Sequence, residues 1–126
     1  MPTTASLQWK LEVDRGPDWL FVRVCVPKKY RGEDPPLADL VWELLQQHFV
    51  YRLALELNDV PLMHSYLLGQ LVVLQKRIAE HDGVMRVCGL SPMNRRVLEL
   101  HGLGRQIPSY FDRNEAVMAP RYTKPR

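Results

Sequence analysis

Several common signatures of catalysis and of membrane insertion are missing from this sequence. It has no glycine-rich phosphate loop, no GxSxG or HExxH motif, and no pair of carboxylates spaced for acid–base catalysis. Its apolar runs are far shorter than a bilayer span, and residues 1–6 lack the basic-then-apolar order of a signal peptide. We therefore expect a cytoplasmic protein without membrane insertion, and the residues predict neither an enzyme nor a bound cofactor.

Cysteine is also scarce. Cys25 and Cys88 stand alone in apolar runs, without a CxxC partner or a metal-ligand spacing nearby. This pattern favours buried, reduced thiols over a disulfide, because a free cysteine behaves as a small hydrophobic residue. The histidines His48, His81 and His101 share no ligand spacing, so we interpret them as structural and predict no metal site.

The totals describe an ordinary globular chain with little excess of charge of either sign. At 126 residues, with 46% hydrophobic and 25% charged residues, the chain has room for one core. The net charge is +3, and no basic stripe with interleaved aromatic residues accompanies it. Arg95 and Arg96, with Arg105, come nearest, but a solvated helix face is the better explanation of them. We predict no nucleic-acid partner, and the sequence leaves the oligomeric state open.

Hydrophobic periodicity predicts alternating strands and helices. Residues 7–13 and 19–26 read as an antiparallel hairpin, and residues 52–57, 84–90 and 107–111 as further strands. Helical stripes start at Leu37, at about Ser65 and after Ser91, with a last turn within residues 112–119. This order predicts an α/β fold with a mixed, mostly parallel sheet of four to five strands flanked by three to four helices. We expect a single domain over residues 1–126, with a core from about 7 to 118 and a mobile basic tail at 119–126.

Ser65 stands where the second helix begins, and three interpretations of it are open. Serine is a frequent N-cap residue, and capping alone is enough to explain its position. It also suits a phosphate acceptor, because an added dianion at a helix N-terminus has a large local effect. A third interpretation pairs Ser65 with His64 as nucleophile and base, but neighbouring residues at a helix start point in different directions and nothing in the sequence orients the histidine.

Two stretches of the sequence resemble the signature regions of the STAS family, the anti-sigma factor antagonist domain. The first is LELNDVPLMHSYLLGQLVVL, from Leu55, and the second is GVMRVCGLSPMNRRVLELHGL, from Gly83. The first matches the family pattern at Leu55, Leu57, Asn58, Val60, Leu62, Met63, Leu68, Gly69 and Leu71. The second matches it at Ser91, Pro92, Arg95, Arg96, Val97, Leu98, Leu100, Gly102 and Leu103. Both occur in order at the family's spacing, and the resemblance extends from Leu7 to about Met118.

The resemblance implies a protein-binding domain that is not itself an enzyme. Its expected partner is an anti-sigma factor that is also a serine kinase, and phosphorylation of the serine at the position of Ser65 would switch binding off. The implied docking surface runs from Pro61 to Leu71. The partner-binding residues that it implies are His64, Ser65, Tyr66, Leu67, Leu68 and Gly69.

This chain departs from the family pattern around Ser65. The family's aspartate is His64 here, its second serine or threonine is Tyr66, and a glycine is Leu67. Loss of the acidic residue and gain of two large ones would change the charge and shape of the docking surface. The alternative is therefore a STAS domain that acts as a scaffold or regulator in a stress-signalling or lipid-transport assembly, without the phosphoserine switch.

Overall fold

The computed structural model describes residues 9–27 and 34–119. Within these ranges it contains five strands and four helices. The strands are β1 (Lys10–Arg15), β2 (Leu20–Cys25), β3 (Arg52–Glu56), β4 (Val84–Cys88) and β5 (Ser109–Tyr110). The helices are α1 (Leu37–His48), α2 (Ser65–Glu80), α3 (Pro92–Leu100) and α4 (Arg113–Met118). The element order confirms the predicted sequence of strands and helices.

The strands form one sheet in the order β1-β2-β3-β4-β5. Strands β1 and β2 form the predicted antiparallel hairpin, in which Lys10 lies opposite Cys25 and Arg15 opposite Leu20. The remaining neighbours are parallel, as expected for strands connected through helices. The predicted mixed, mostly parallel α/β sheet is confirmed. All connections after the hairpin therefore place the carboxyl ends of β2 to β5 along the same edge.

The main core fills the space between one face of the sheet and the helices α1 and α2. The stripe Leu37, Val41 and Leu45 of α1 is fully buried, and Leu71 and Leu74 of α2 are also inaccessible. These residues recur at helical spacing, as the periodicity predicted. Burial of each large side chain stabilises the fold by about 1.5–3 kcal/mol before the entropy costs of folding are counted. The core thus fixes the axis of α2 against the sheet.

The opposite face of the sheet is covered by the short helix α4. Alternation in β3 predicted a half-buried strand, but Ala54 and Glu56 are buried as well as Leu53 and Leu55. A parallel central strand is covered on both faces, so the alternation was misleading here. Glu56 is tolerated because Arg113 of α4 binds it through two hydrogen bonds, Nε–Oε2 at 3.1 Å and Nη2–Oε1 at 2.7 Å.

Arg113 is a connector between α4 and the sheet. Its Nη1 also donates to Asp14 Oδ2 at 2.7 Å, and its guanidinium lies 4.4 Å from the ring centroid of Phe21. The hydrogen bonds to Glu56, together with the one to Asp14, raise the pKa of Arg113 above its ordinary value. On the same face Arg86 is buried and donates to the carbonyl oxygen of Ala116 at 2.6 Å.

Several element ends depart from the predicted bounds, mostly by a few residues. Residues 7 and 8 of the predicted first strand and all of the predicted basic tail except Ala119 lie outside the described residues. The last strand is two residues long instead of five, because Pro108 has no N–H with which to extend the ladder. Helix α3 starts after Ser91 as predicted, and Ser91 caps it, with its Oγ accepting from Asn94 N at 3.1 Å. Gly102 follows that helix with a φ of 69°.

Both cysteines are free in the structure. Cys88 is buried beside Ala54 and Ala116, whereas Cys25 is only partly buried, which departs from the expectation for that residue. Burial raises the pKa of the Cys88 thiol to about 12. The Cys88 thiolate is therefore scarce near neutral pH, and this thiol belongs to the core.

Candidate functional site

The second helix begins one residue earlier than it would if Ser65 were its N-cap. His64 is the N-cap, with an extended backbone (φ −116°, ψ −178°), and its side chain makes no capping hydrogen bond. Ser65 is the first helical residue and is exposed. The expectation that Ser65 caps the helix is therefore wrong, because its hydroxyl is already inside the first turn. No side chain closes this helix end, which leaves its first N–H groups open to solvent or to an added anion.

The six predicted partner-binding residues divide into surface and core. His64, Ser65, Tyr66 and Gly69 are exposed, and 46% of Tyr66 is accessible. Leu67 and Leu68 are 3% and 5% exposed and belong to the main core. The expectation that these two leucines are presented to a partner is corrected, since consecutive helix positions point about 100° apart and this pair faces the sheet. Leu67, which stands where the family pattern has a glycine, adds its side-chain volume to the core.

Gly69 leaves open space on the exposed side of α2. A Cβ atom placed there would meet nothing within 4 Å. The chain's own packing therefore does not require a glycine at this position. The next residue, Gln70, has a structural role, because its Oε1 accepts from the backbone N of Ala38 at 2.9 Å and so satisfies the start of α1.

His64 is oriented by a carboxylate that the sequence did not suggest. Its Nε2 lies 2.7 Å from Oδ2 of Asp34, and the side chains are 60% and 15% exposed, respectively. Asp34 Oδ2 makes no hydrogen bond of good geometry within the described residues, so its contact with His64 is a close approach of the two polar groups. No hydrogen bond joins His64 to Ser65 in the described part of the chain, and the pair is not arranged as base and nucleophile.

The segment before α2 is held by one buried amide, which sequence reasoning missed. Asn94 of α3 is 1% exposed, and its Oδ1 accepts from the backbone N of Met63 at 2.8 Å. Its Nδ2 donates to the carbonyl oxygens of Val60 and Pro61, at 3.3 and 3.0 Å. The sequence does contain a signal for this role. Asn94 lies four residues before Leu98, so both residues are on the core side of the helix, where a polar side chain needs hydrogen-bond partners. These three hydrogen bonds hold the first turn of α3 beside the segment Val60–Met63.

Three large apolar side chains that lie next to these hydrogen bonds, or within one turn of them, in the sequence are exposed. Leu62, just before the start of α2, is 61% exposed, and Met93, just before Asn94, is 62% exposed. Tyr66 completes the set on the first turn of α2. We call Leu62, Tyr66 and Met93 the apolar triad. Large exposed apolar side chains near one another indicate an interaction surface more than single ones do.

The chain segments that contain the triad lack acidic residues of their own. No carboxylate occurs from Val60 to Ala79 or from Gly83 to Leu98, and neither α2 nor α3 has an acidic residue in its first turn. Arg95 and Arg96 are exposed, and in the described ranges no carboxylate lies within ion-pair distance of either. The positive ends of two helices therefore add to unneutralised side-chain charge.

An open groove of about 630 Å³ runs along the exposed side of α3. It is lined by Ser91, Pro92, Met93, Arg95, Arg96 and Glu99. Among residues 9–27 and 34–119, no group of three or more His, Cys, Asp or Glu side chains could hold a metal ion. No helix in those ranges is long and apolar enough to span a bilayer. The chemistry that this surface offers is apolar contact, cation pairing and the exposed hydroxyl-bearing residues Ser65, Tyr66 and Ser91.

Comparison with known proteins places this geometry in a family. A model of the STAS domain matches residues 30–116. No curated protein sequence gives a significant match. An anti-sigma factor antagonist from Mycobacterium paratuberculosis superposes with a TM-score of 0.70 at 19% identity, over 88% of this chain and 92% of that one.

Two further solved structures are similar. Protein TM1081 of Thermotoga maritima has a TM-score of 0.69 at 22% identity, with 86% of each chain covered. The unphosphorylated form of the Bacillus anti-sigma factor antagonist SpoIIAA has a TM-score of 0.60 at 18% identity, over 86% of this chain and 92% of that one. At such identities the likeness shows the shared fold. The family match covers more than half of the 126 residues, and the chain belongs to the STAS domain family.

Proposed function

We propose that this chain is an anti-sigma factor antagonist-like protein that binds a kinase-type anti-sigma factor. Binding uses the exposed part of the Pro61–Leu71 segment, together with the start of α3. The observation that carries the proposal is the exposed apolar triad of Leu62, Tyr66 and Met93, in a STAS domain where Asn94 holds the start of α3 against the segment that leads into Ser65. Solved structures with this fold include anti-sigma factor antagonists, one of them in a phosphorylated form.

Phosphorylation of Ser65 is the second part of the proposal. The hydroxyl is exposed at the first position of a sixteen-residue helix whose N-terminus has no side-chain cap. A phosphate there meets open N–H groups and the positive end of the helix, so the fold tolerates it. The same dianion beside Tyr66 changes the charge and the outline of the binding surface. Ser65 is then a switch for binding and contributes little to folding.

The alternative is a STAS scaffold or regulator without the switch, in a stress-signalling or lipid-transport assembly. It is favoured by His64, which stands where the family pattern has an aspartate and pairs with Asp34 instead of presenting a negative charge. A kinase that recognises an acidic residue before its target serine would not find one here. Under this alternative the same surface binds a protein partner constitutively.

A kinase assay separates the two possibilities. The wild-type chain and Ser65→Ala are incubated with ATP and each purified kinase-type anti-sigma factor of the source genome, and phosphate is located by mass spectrometry. The switch predicts phosphate on Ser65 of the wild type and none on the variant. Absence of labelling, under conditions that label an established family member, removes the switch. Failure of every such anti-sigma factor to bind in a titration removes the antagonist function as well.

A further inference from the structure

Helix α3 presents an exposed stripe that the fold itself does not use. Met93, Arg96 and Leu100 lie three and four residues apart, so they share one side of the helix. Met93 and Leu100 are 62% and 72% exposed, while Asn94 and Leu98 on the other side are buried. A helix with one apolar face normally buries that face and keeps the opposite face polar. Here the solvent side has one large apolar residue on each side of a cation.

The charge of the stripe limits what can cover it. Arg96 and its neighbour Arg95 have no ion-pair partner in the described part of the chain, and the nearest carboxylate in sequence is Glu99. The terminal segments of the chain are poor complements by sequence. Residues 1–8 contain no charged side chain, and residues 120–126 contain three basic residues and no acidic one. A basic or neutral partner surface would leave the two guanidinium groups unpaired at the interface, which costs affinity.

The surface extends beyond α3. The hydrogen bonds of Asn94 hold the segment Val60–Met63 against the first turn of this helix, so Leu62 adds a third exposed apolar side chain at its start. The groove lined by Met93 and both arginines runs along the same side. Apolar side chains and the two arginines, with Glu99 as the one carboxylate lining the groove, therefore share this side of α3.

We propose that this surface binds an acidic amphipathic segment of a protein partner. The aliphatic or aromatic side chains of that segment cover Leu62, Met93 and Leu100, and its carboxylates pair with Arg95 and Arg96. Apolar anchors supply most of the affinity in such interfaces, whereas charge complementarity raises the association rate and selects the partner. This inference rests on the proposed partner-binding function, and it adds the chemistry of the partner's docking segment.

Peptide selection tests the inference without any anti-sigma factor. Random linear peptides displayed on phage are selected against three folded baits: the wild-type chain, Arg96→Glu and Lys76→Glu. Lys76 lies on α2, eleven residues after Ser65 and so about 16 Å along the helix axis. Its substitution by glutamate makes the same change in net charge as Arg96→Glu, which makes it the matched control. Unchanged circular dichroism of both variants establishes that they fold.

The expected result is enrichment of peptides rich in Asp and Glu, interleaved with large apolar residues, on the wild-type and Lys76→Glu baits. Arg96→Glu should weaken the best of these peptides by about tenfold or more, and Met93→Asp should weaken them as well. Lack of enrichment, enriched peptides without an acidic excess, or equal binding by Arg96→Glu would overturn the inference. The proposed function is judged separately, by titration of anti-sigma factors, so either can fail alone.

Discussion

Replacing Asn94 with alanine tests whether a single buried amide holds the segment that leads into α2. Its side chain makes three hydrogen bonds, one from the backbone N of Met63 and two to the carbonyl oxygens of Val60 and Pro61. Alanine leaves the Met63 N–H without its acceptor in a site that is 1% exposed, and it also removes the donor to both carbonyls. The N–H and carbonyl groups of the segment must then either move to reach water or remain without hydrogen-bond partners.

The expected cost follows from those groups. A buried donor or acceptor left unpaired costs about 1–3 kcal/mol. The carbonyls have a second lone pair and suffer less than the N–H, so we expect a total loss of about 2–4 kcal/mol in the free energy of unfolding. The better helix propensity of alanine returns only about 0.5 kcal/mol. For a domain of this size the loss corresponds to a fall in Tm of roughly 8–16 °C.

Urea unfolding followed by circular dichroism measures the loss directly. Arg96→Ala serves as the matched control, because it is two positions away on the exposed side of the same helix and should change stability by less than about 0.5 kcal/mol. A loss below about 1 kcal/mol for Asn94→Ala would refute the reasoning, because the segment Val60–Met63 would then be held by other contacts.

Three further changes have defined outcomes. Tyr66→Ala should weaken partner binding by about tenfold or more while leaving Tm nearly unchanged, whereas Leu68→Asp should lower both, as titration and thermal unfolding would show. Arg113→Ala should lower the free energy of unfolding in urea by about 2–3 kcal/mol, because it leaves the Glu56 carboxylate buried and unpaired. The double variant with Glu56→Gln should recover part of that loss. Burial raises the pKa of Cys88 to about 12, so the free energy of unfolding should fall as the pH rises from about 9 towards 12. Cys88→Ala should flatten that fall. An equally steep fall in the variant would contradict the assignment of this pH dependence to Cys88.

The fold was largely predictable because its elements have clear periodic patterns. Alternation in the first hairpin, helical stripes in α1 and α2, and the Ser91-Pro92 start of α3 each agree with the structure. The prediction failed where contacts between distant parts of the chain determine whether a residue is buried. Glu56 reads as the exposed position of an alternating strand, but Arg113, 57 residues further along the chain, makes its burial possible. No local pattern carries that information.

The site was predictable only in part. The position of Ser65 at a helix start followed from sequence, but the identity of the cap did not, since a shift of one residue at a helix end leaves the hydrophobic pattern almost unchanged. The same uncertainty hid the fact that Leu67 and Leu68 both face the core. Met93 and Asn94 were missed because their importance depends on the packing of α3 beside the segment Val60–Met63.

Amide hydrogen exchange of the chain, with and without a kinase-type anti-sigma factor, tests most directly where a partner binds. The account predicts added protection at residues 61–66 and 92–96, and unchanged exchange in the hairpin of β1 and β2, which lies at the far edge of the sheet from β5. Protection centred on the hairpin, with none at the start of α2 or α3, would contradict the central claim that this surface is the partner-binding site.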